Sequence, residues 1–296
     1  MKRFLILATL MIIYLLIAME ILLRISNKAT DPLIEQVISG SFLYKPGQKG
    51  KWIRGSDAEI KSEFNINSAG WNSSKEYFFG ENKKYIALIG DSYIEGLHVP
   101  PDSSIGRKIE VLRHDVTVHE YGRSGAGSED YKDLYWKYCA GRYDKIFIIM
   151  KDEDLFDTSH SVITSRGNNV TNSFIRKLYY MSSFLRFINI QLGFLKSLQD
   201  IFCEKKGEPS SSHDKYYEGN HLVDIKLDRR SYFEDFPKNV FFLYEKDRLL
   251  TFYSNYLGTR GVEIKHSSKL IDFGFDPHWN NEARWDVAKA IANQLN

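Results

Sequence analysis

A short apolar run near residue 85 constrains the fold of this chain more than any other feature. Residues 85–89 are apolar or aromatic and lead, without polar alternation, into Gly90, Asp91 and Ser92. A strand that is apolar on both sides is typical of a parallel sheet covered by helices on both faces, and such sheets carry their sites at the carboxyl ends of the strands. The run therefore predicts a central parallel strand that ends at a functional turn.

The chain beyond residue 83 alternates between strand and helix patterns. The predicted elements are strand 85–89, helix 103–113, strand 116–121, helix 128–139, strand 145–150, strand 239–244, helix 246–257, strand 262–265 and helix 282–295. Repeated βα units favour a parallel sheet with helices on both faces. We therefore predict an α/β domain over residues 81–296 with a helical insertion at about 158–238.

The insertion contains a long stretch with apolar residues at helical spacing, residues 173–202. This spacing predicts an amphipathic helix or a broken pair of helices. Three interpretations stay open: a helix packed on the domain, a lid over Ser92, or a surface that lies on a membrane.

The N-terminus is apolar enough to cross a bilayer. Residues 4–19 carry no charge, and the apolar stretch 4–23 is about 20 residues long, which suits a hydrocarbon core of about 30 Å. We predict a single-pass anchor over residues 1–25, with the lipid bilayer as its partner. Lys2 and Arg3 favour a cytoplasmic start and an extracytoplasmic domain, either periplasmic or at the cell surface. A cleaved signal peptide and a buried helix are the alternatives.

Residues 26–80 are polar, but they contain aromatic side chains that a free tether would not need. We predict a juxtamembrane segment that packs on the domain. The net charge of +2, from 40 basic and 38 acidic residues, gives no indication of nucleic-acid binding. Cys139 and Cys203 have no zinc-type spacing, so we predict no metal. The Gly-rich loop 122–128 lacks the spacing of phosphate-binding and dinucleotide-binding motifs, and we predict no cofactor. The two cysteines are interpreted as buried thiols, although pairing stays open.

A serine on a strand-to-helix turn needs a base and an orienting group before it can act as a nucleophile. Asp276 and His278 lie two positions apart, with Pro277 between them, shortly before the last predicted helix. One loop could thus deliver an imidazole together with its carboxylate. Of the other histidines, His98 and His160 follow predicted strand ends and are the reserve candidates.

Three motifs in this order resemble those of the SGNH/GDSL hydrolase superfamily: residues 90–92, residues 122–125 and residues 276–280. The resemblance implies a three-layer α/β/α, flavodoxin-like fold and an enzyme that removes or transfers acyl groups on oxygen or sulfur esters. It implies Ser92 as nucleophile, His278 as base and Asp276 as its orienter. It also implies the backbone N–H groups of Ser92 and Gly125 as oxyanion donors.

One motif departs from the family pattern. Glu153 stands where the family usually has an asparagine whose amide donates to the oxyanion. An ionised carboxylate would repel an oxyanion, and losing one such donor costs about 3 kcal/mol of transition-state stabilisation. Glu153 could be protonated or turned aside, and a shift of one residue would bring Lys151 near the site instead.

The sequence thus predicts a serine esterase or O-acyltransferase outside the cytoplasm. Its expected substrate is an acyl ester, with acetyl preferred, on cell-surface carbohydrate. Two alternatives stay open. Glu153 suggests a weakly active or inactive SGNH-like binding protein in surface-polymer assembly, and the anchor with the 173–202 stretch suggests a lipase or lysophospholipase.

Overall fold

The computed structural model is organised around one parallel sheet. It describes residues 2–26, 32–36, 42–55, 57–80, 83–151, 154, 178–179, 181–192, 230–245 and 256–295. The helices are α1 (Lys2–Ile25), α2 (Ser92–Glu95), α3 (Ile105–Leu112), α4 (Ser128–Leu134), α5 (Ser183–Leu192), α6 (Arg230–Glu234) and α7 (Asn281–Ala292). The strands are β1 (Ile34–Gln36), β2 (Phe42–Tyr44), β3 (Lys49–Arg54), β4 (Ile60–Asn65), β5 (Lys84–Gly90), β6 (Val116–Gly122), β7 (Lys145–Ile149), β8 (Val240–Tyr244) and β9 (Gly261–Glu263).

The main sheet has five strands in the order β6-β5-β7-β8-β9, and every pair is parallel. Numbered along the chain, this order is 2-1-3-4-5, the doubly wound arrangement of flavodoxin-like folds. The predicted α/β class with a parallel sheet is therefore confirmed. Strand β5 lies between β6 and β7, with Gly90 opposite Gly122, so the Ser92 turn and the 122–125 loop leave the same sheet edge side by side.

Two buried clusters cover the two faces of the sheet. Along β5, Ile86 and Leu88 pack into one cluster, whereas Ala87 and Ile89 pack into the other. Helices α3 and α7 cover the first face, and α4 and α6 cover the second. Because strand side chains alternate between faces, a strand with no polar alternation must be covered on both sides. The result is the expected three-layer α/β/α arrangement.

The structure differs from the predicted helices in its details. The helical stretch 128–139 ends as a π-helical turn at Tyr135–Cys139, where the Ala140 N–H donates to the Tyr135 carbonyl over 2.9 Å. Most of the predicted helix 246–257 lies outside the described residues, as does most of the insertion. Cys139 is buried, which raises the pKa of its thiol. Cys203 lies outside the described residues, so the pairing of the two cysteines stays open.

Residues before β5 form two antiparallel pairs, β1 with β2 and β3 with β4. This part of the chain contacts the turn that follows Ser92. The Tyr44 hydroxyl donates to the Glu95 carboxylate over 2.7 Å, and the Ser62 hydroxyl donates to the Leu97 carbonyl. Trp71 is 1% exposed and meets Tyr121 edge to face at 5.1 Å. The domain boundaries at residues 25 and 80 stay a prediction.

The N-terminal helix α1 is long and apolar enough to cross a membrane, and none of its most apolar stretch is buried in the protein. A signal sequence has the same length and apolar character. The chain therefore has one N-terminal apolar helix that serves as a signal sequence or as a single membrane anchor.

Gly122 allows β6 and α2 to approach closely. A Cβ atom there would lie 2.0 Å from the backbone N of Glu95 and 2.5 Å from the carbonyl carbon of Ile94. Since backbone atoms can move only with the whole turn, we expect Gly122→Ala to destabilise the protein by about 3 kcal/mol or more. Chemical unfolding in detergent would measure this.

Gly141 provides the matched control for Gly122. It has φ +71°, and a Cβ there would meet nothing within 4 Å. Gly141→Ala therefore suffers only the backbone penalty of about 1–2 kcal/mol. Equal destabilisation by the two variants would contradict the close approach of β6 and α2.

Candidate active site

Ser92 lies directly beyond the carboxyl end of the inner strand β5. Strand β5 ends at Gly90, and Ser92 is the first residue of the single turn α2. Asp91 caps this turn, because its carboxylate accepts a hydrogen bond of 2.9 Å from the Tyr93 N–H. The buried strand and the capped turn together hold the Ser92 hydroxyl at the sheet edge.

The loop before α7 carries His278 to the same place. The Oγ of Ser92 lies 2.7 Å from Nε2 of His278, and Nδ1 of His278 lies 2.5 Å from Oδ1 of Asp276. The same Asp276 oxygen accepts the backbone N–H of His278 over 3.0 Å. Three side chains that are up to 186 positions apart along the chain therefore form one hydrogen-bonded row.

Several contacts keep the loop in position. The Tyr93 hydroxyl donates to the Pro277 carbonyl over 2.9 Å, which joins the loop to the Ser92 turn. Asn280 caps α7, with its side-chain oxygen 3.0 Å from the N–H groups of Glu282 and Ala283. The side chain of Trp279 is 1% exposed. These contacts tie the His278 segment to the Ser92 turn on one side and to the start of α7 on the other.

The row has a defined charge arrangement. Burial raises the pKa of the Asp276 carboxyl, but the hydrogen bonds from His278 and the nearby imidazole of His98 lower it more, so the net pKa lies well below its ordinary value. Asp276 is therefore a carboxylate at neutral pH, and it can only accept. The proton of neutral His278 then resides on Nδ1, which leaves the Nε2 lone pair to accept from the Ser92 hydroxyl.

His98, a reserve candidate in the sequence, is part of this site. Its ring stacks on the His278 ring with centroids 3.8 Å apart and 17° between the planes. Its Nε2 lies 3.6 Å from Oδ2 of Asp276, and the residue is 7% exposed. Asp276 thus lies between two imidazoles, with one oxygen directed to each. The other reserve candidate, His160, lies outside the described residues.

The donor atoms of His98, Asp276 and His278 lie within 4.8 Å of one another, which is close enough to consider a metal ion. A histidine nitrogen binds a metal in the plane of its ring. Because the two rings are stacked nearly parallel, their lone pairs run side by side and do not converge on one point. The arrangement fits a carboxylate shared by two imidazoles better than a metal centre.

Two buried histidines should make the free energy of unfolding depend on pH. Burial lowers the pKa of His98 to about 4 and that of His119 to about 3. Between these values and the ordinary pKa near 6.5, the unfolded chain binds more protons than the folded one, so stability falls as the pH falls. The free energy of unfolding of the wild type therefore falls between pH 7 and pH 5. In His98→Gln we expect this fall to be smaller by about 2 kcal/mol. Urea unfolding at the two pH values measures this.

Two other histidines serve as comparisons in that experiment. His119→Gln should reduce the pH 7 to pH 5 difference by a similar amount. His114→Gln, at an exposed position, should leave the difference unchanged. An unchanged difference in His98→Gln would mean that His98 is not held neutral in the folded protein.

Aromatic and cationic groups surround the row. Tyr93 stacks on His278 at 4.9 Å and meets Trp279 edge to face at 4.7 Å. Lys151, at the end of β7, places its Nζ 3.6 Å from the centre of the Tyr93 ring. Burial lowers the pKa of Lys151, but the hydroxyl of Tyr93 and the carboxylate of Glu245 raise it more, so the net pKa is raised. Lys151 is therefore positively charged at neutral pH, and its ammonium group lies over the Tyr93 ring.

A buried network of charged and polar groups holds the loop at residues 122–125, which lies next to the Ser92 turn. The Glu95 carboxylate accepts from the Tyr44 hydroxyl over 2.7 Å, from Arg123 over 3.3 Å and from the Ser124 N–H over 3.3 Å. This loop contains Gly125, which has φ +76°. No sequence motif points to Glu95 or Arg123. The available signal is a carboxylate at position 95 between the apolar residues Ile94 and Leu97.

The implied oxyanion donors differ in how far the structure describes them. Gly125 lies in a loop joined to the Ser92 strand, because the Arg123 N–H donates to the Gly90 carbonyl over 3.1 Å. Glu153 lies outside the described residues. Its neighbour Asp154 is buried and accepts from the Lys151 N–H over 2.7 Å and from the Tyr131 hydroxyl over 3.0 Å. The donor roles of Ser92, Gly125 and Glu153 stay predictions.

Known proteins resemble this chain at the level of structure. No family model and no curated protein matches it. A member of the lipolytic protein G-D-S-L family from Veillonella parvula DSM 2008 matches with 10% identity and a TM-score of 0.38, over 72% of this chain and 98% of that one. An acetyl xylan esterase from Geobacillus stearothermophilus matches with 10% identity and a TM-score of 0.35, over 72% and 94%. At this level of similarity, the chemistry has to be inferred from the geometry of the site.

Proposed function

We propose that this chain is a membrane-anchored serine esterase or O-acyltransferase of the SGNH type, with its domain outside the cytoplasm. The observation that carries the proposal is the row from Ser92 through His278 to Asp276, with distances of 2.7 and 2.5 Å. A hydroxyl bonded to an imidazole that is itself oriented by a carboxylate is the arrangement that activates serine for acyl transfer.

The first half of the reaction forms an acyl-serine. The Oγ of Ser92 bonds to the ester carbonyl carbon while its proton passes to Nε2 of His278. The carbonyl oxygen becomes an oxyanion, which the N–H groups of Ser92 and Gly125 would stabilise. Collapse breaks the bond to the leaving alkoxide, which takes the proton from Nε2. Asp276 remains ionised and stabilises the imidazolium between these two transfers.

The second half regenerates the serine. A water molecule or a sugar hydroxyl gives its proton to Nε2 of His278 and bonds to the acyl carbon. The acyl group then leaves Ser92, whose Oγ recovers the proton. Water gives hydrolysis and a sugar hydroxyl gives transfer. We propose acetyl esters of cell-surface carbohydrate as substrates, on the basis of the motif resemblance and the expected compartment.

His98 serves as a positioning residue in this scheme. Its contact of 3.6 Å with Oδ2 of Asp276 and its stacking on His278 restrict both partners of the base. Because burial lowers its pKa to about 4, His98 adds no positive charge beside the imidazolium at neutral pH. A charged neighbour would instead make protonation of His278 less favourable.

Covalent labelling tests the proposal directly. The full chain in detergent is treated with a fluorophosphonate, digested, and analysed by mass spectrometry. We expect modification at Ser92 in the wild type and a strong reduction in His278→Gln, because the hydroxyl then has no base. Absence of modification at Ser92 would support a binding protein instead of an enzyme.

Ester chain length separates the two enzymatic interpretations. An acetyl-directed esterase should hydrolyse p-nitrophenyl acetate with a higher kcat/KM than p-nitrophenyl decanoate. A lipase or lysophospholipase should show the opposite order. Acetyl transfer to an added oligosaccharide, followed by mass spectrometry, distinguishes transfer from hydrolysis.

A further inference from the structure

A carboxylate lies near the end of the apolar helix α1. The helix rises about 1.5 Å per residue, so Glu20 lies about 24 Å from Phe4 along its axis. This is close to the border of a hydrocarbon core about 30 Å thick. A charged side chain at that depth is costly unless it has partners. Glu20 has such partners on a distant segment of the chain.

Glu20 caps the N-terminus of helix α5. One of its carboxylate oxygens accepts from the Ser183 N–H over 2.9 Å, and the other accepts from the Phe184 N–H over 2.9 Å and from the Ser182 hydroxyl over 3.0 Å. The two N–H groups are orphan donors that a helix start otherwise leaves to its own cap residue or to water. Ser182 itself caps the Leu185 N–H over 3.1 Å, and Glu20 adds acceptors for the Ser183 and Phe184 N–H groups from the apolar helix, more than 160 positions earlier in the chain.

Arg24 completes the junction. Its Nε lies 2.7 Å from Glu20, one turn earlier on α1, and its guanidinium also donates to the Met181 carbonyl. The negative charge of Glu20 is thereby paired, and the chain entering α5 is bound from two sides. Ser183 is 3% exposed, and Leu23 is the buried residue of α1 among those described.

The turn and helix that dock on α1 also expose apolar side chains. Leu178 is 44% exposed, Met181 69% and Leu185 42%. Leu178 and Met181 lie in the turn before α5, and Leu185 lies in the first turn of α5. The segment that carries them meets Glu20 and Arg24 at the end of a helix whose own apolar surface is exposed along its length. An apolar surface that continues from a membrane-spanning helix fits lipid better than water.

We propose that α5 and the turn before it lie on the bilayer surface on the domain side, docked to the anchor by Glu20. Leu178, Met181 and Leu185 would enter the region between headgroups and acyl chains. Of the interpretations open for the 173–202 stretch, this one assigns a lipid surface as the partner. The inference rests on the anchor being retained, which is part of the proposed function.

Depth-dependent fluorescence quenching tests this inference. The full chain, with Cys203→Ser, carries a single added cysteine labelled with an environment-sensitive fluorophore and is reconstituted into phosphatidylcholine vesicles with doxyl-labelled lipid. The positions are Leu185→Cys, Ile12→Cys within the anchor, and Val111→Cys. Val111 is 60% exposed on α3, so it is a matched apolar position on a helix of the sheet domain. We expect quenching at residues 185 and 12, and none at residue 111.

Two variants examine the role of Glu20. Glu20→Gln retains an oxygen that can accept from the start of α5, whereas Glu20→Leu does not. We expect Glu20→Leu to lose most of the quenching at residue 185 while quenching at residue 12 persists, and Glu20→Gln to keep a larger part of it.

The outcomes separate this inference from the proposed function. Quenching at residue 12 without quenching at residue 185 would overturn the lipid contact and leave the anchor intact. No quenching at residue 12 would overturn both the anchor and the lipid contact. Labelling of Ser92 by the fluorophosphonate is measured separately, so the proposed chemistry can stand or fall independently.

Discussion

Replacing Ser92 with alanine is expected to lower ester turnover by roughly four to six orders of magnitude, the range typical of removing the nucleophile of a hydrogen-bonded triad. The reason is that, in the part of the chain that the structure describes, Ser92 supplies the only hydroxyl that is hydrogen-bonded to Nε2 of His278. Hydrolysis of p-nitrophenyl acetate by the purified full chain measures the effect on kcat. The fold should be retained, because the small side chain of Ser92 is only partly buried.

Ser103 offers a matched control for that experiment. Like Ser92, it is partly exposed. It lies eleven positions further along the chain, in the short 3₁₀ helix at Pro101–Ser103. Ser103→Ala should leave kcat within about twofold of the wild type, as expected for a surface change away from the reacting atoms. Unchanged turnover in Ser92→Ala would remove Ser92 from the mechanism.

Replacing Asp276 with asparagine is expected to lower kcat by about 10⁴-fold, with a much smaller effect on KM. An amide nitrogen in place of Oδ1 can donate to Nδ1 of His278. The proton of the imidazole then resides on Nε2, and this nitrogen can no longer accept from the Ser92 hydroxyl. The variant also loses the carboxylate that stabilises the imidazolium. Because Oδ1 of Asp276 faces both Nδ1 and the backbone N–H of His278, an amide nitrogen at that position loses the backbone contact. The loop should still keep its conformation, because the Tyr93 hydroxyl donates to the Pro277 carbonyl and the Phe273 N–H donates to the Asp276 carbonyl in either case.

Asp272 provides the control for this substitution. It lies in the same loop, and its carboxylate accepts the Gly274 N–H over 2.8 Å, a contact that an asparagine oxygen can also make. Asp272→Asn should therefore retain nearly all activity. If both variants lost activity equally, the effect of Asp276→Asn would reflect a disturbed loop and not the orientation of His278. Circular dichroism and the melting temperature would show whether the loop change spreads to the fold.

The sheet could be predicted because its strands carry their own signal. Strands β5 and β7 are apolar on both faces, and only a parallel sheet covered by two helical layers buries such strands. The order of the strands in the sheet was less accessible, since it depends on which pairs meet across 20 to 100 residues. The π-helical turn at Tyr135–Cys139 could not be predicted either. It changes the backbone hydrogen bonds of a single turn, which leaves the helical spacing of apolar residues almost unchanged.

The sequence alone determined which groups are available for chemistry: a serine after an apolar strand, and an Asp-Pro-His segment whose spacing lets one loop carry the base and its orienter. These are local properties, and local patterns record them. The tertiary structure decided that Ser92 and His278 meet at 2.7 Å, that His98 stacks on His278, and that Glu20 caps a helix far along the chain. Such contacts depend on the packing of the whole molecule, because the residues that make them are brought together only when the sheet and its covering helices form.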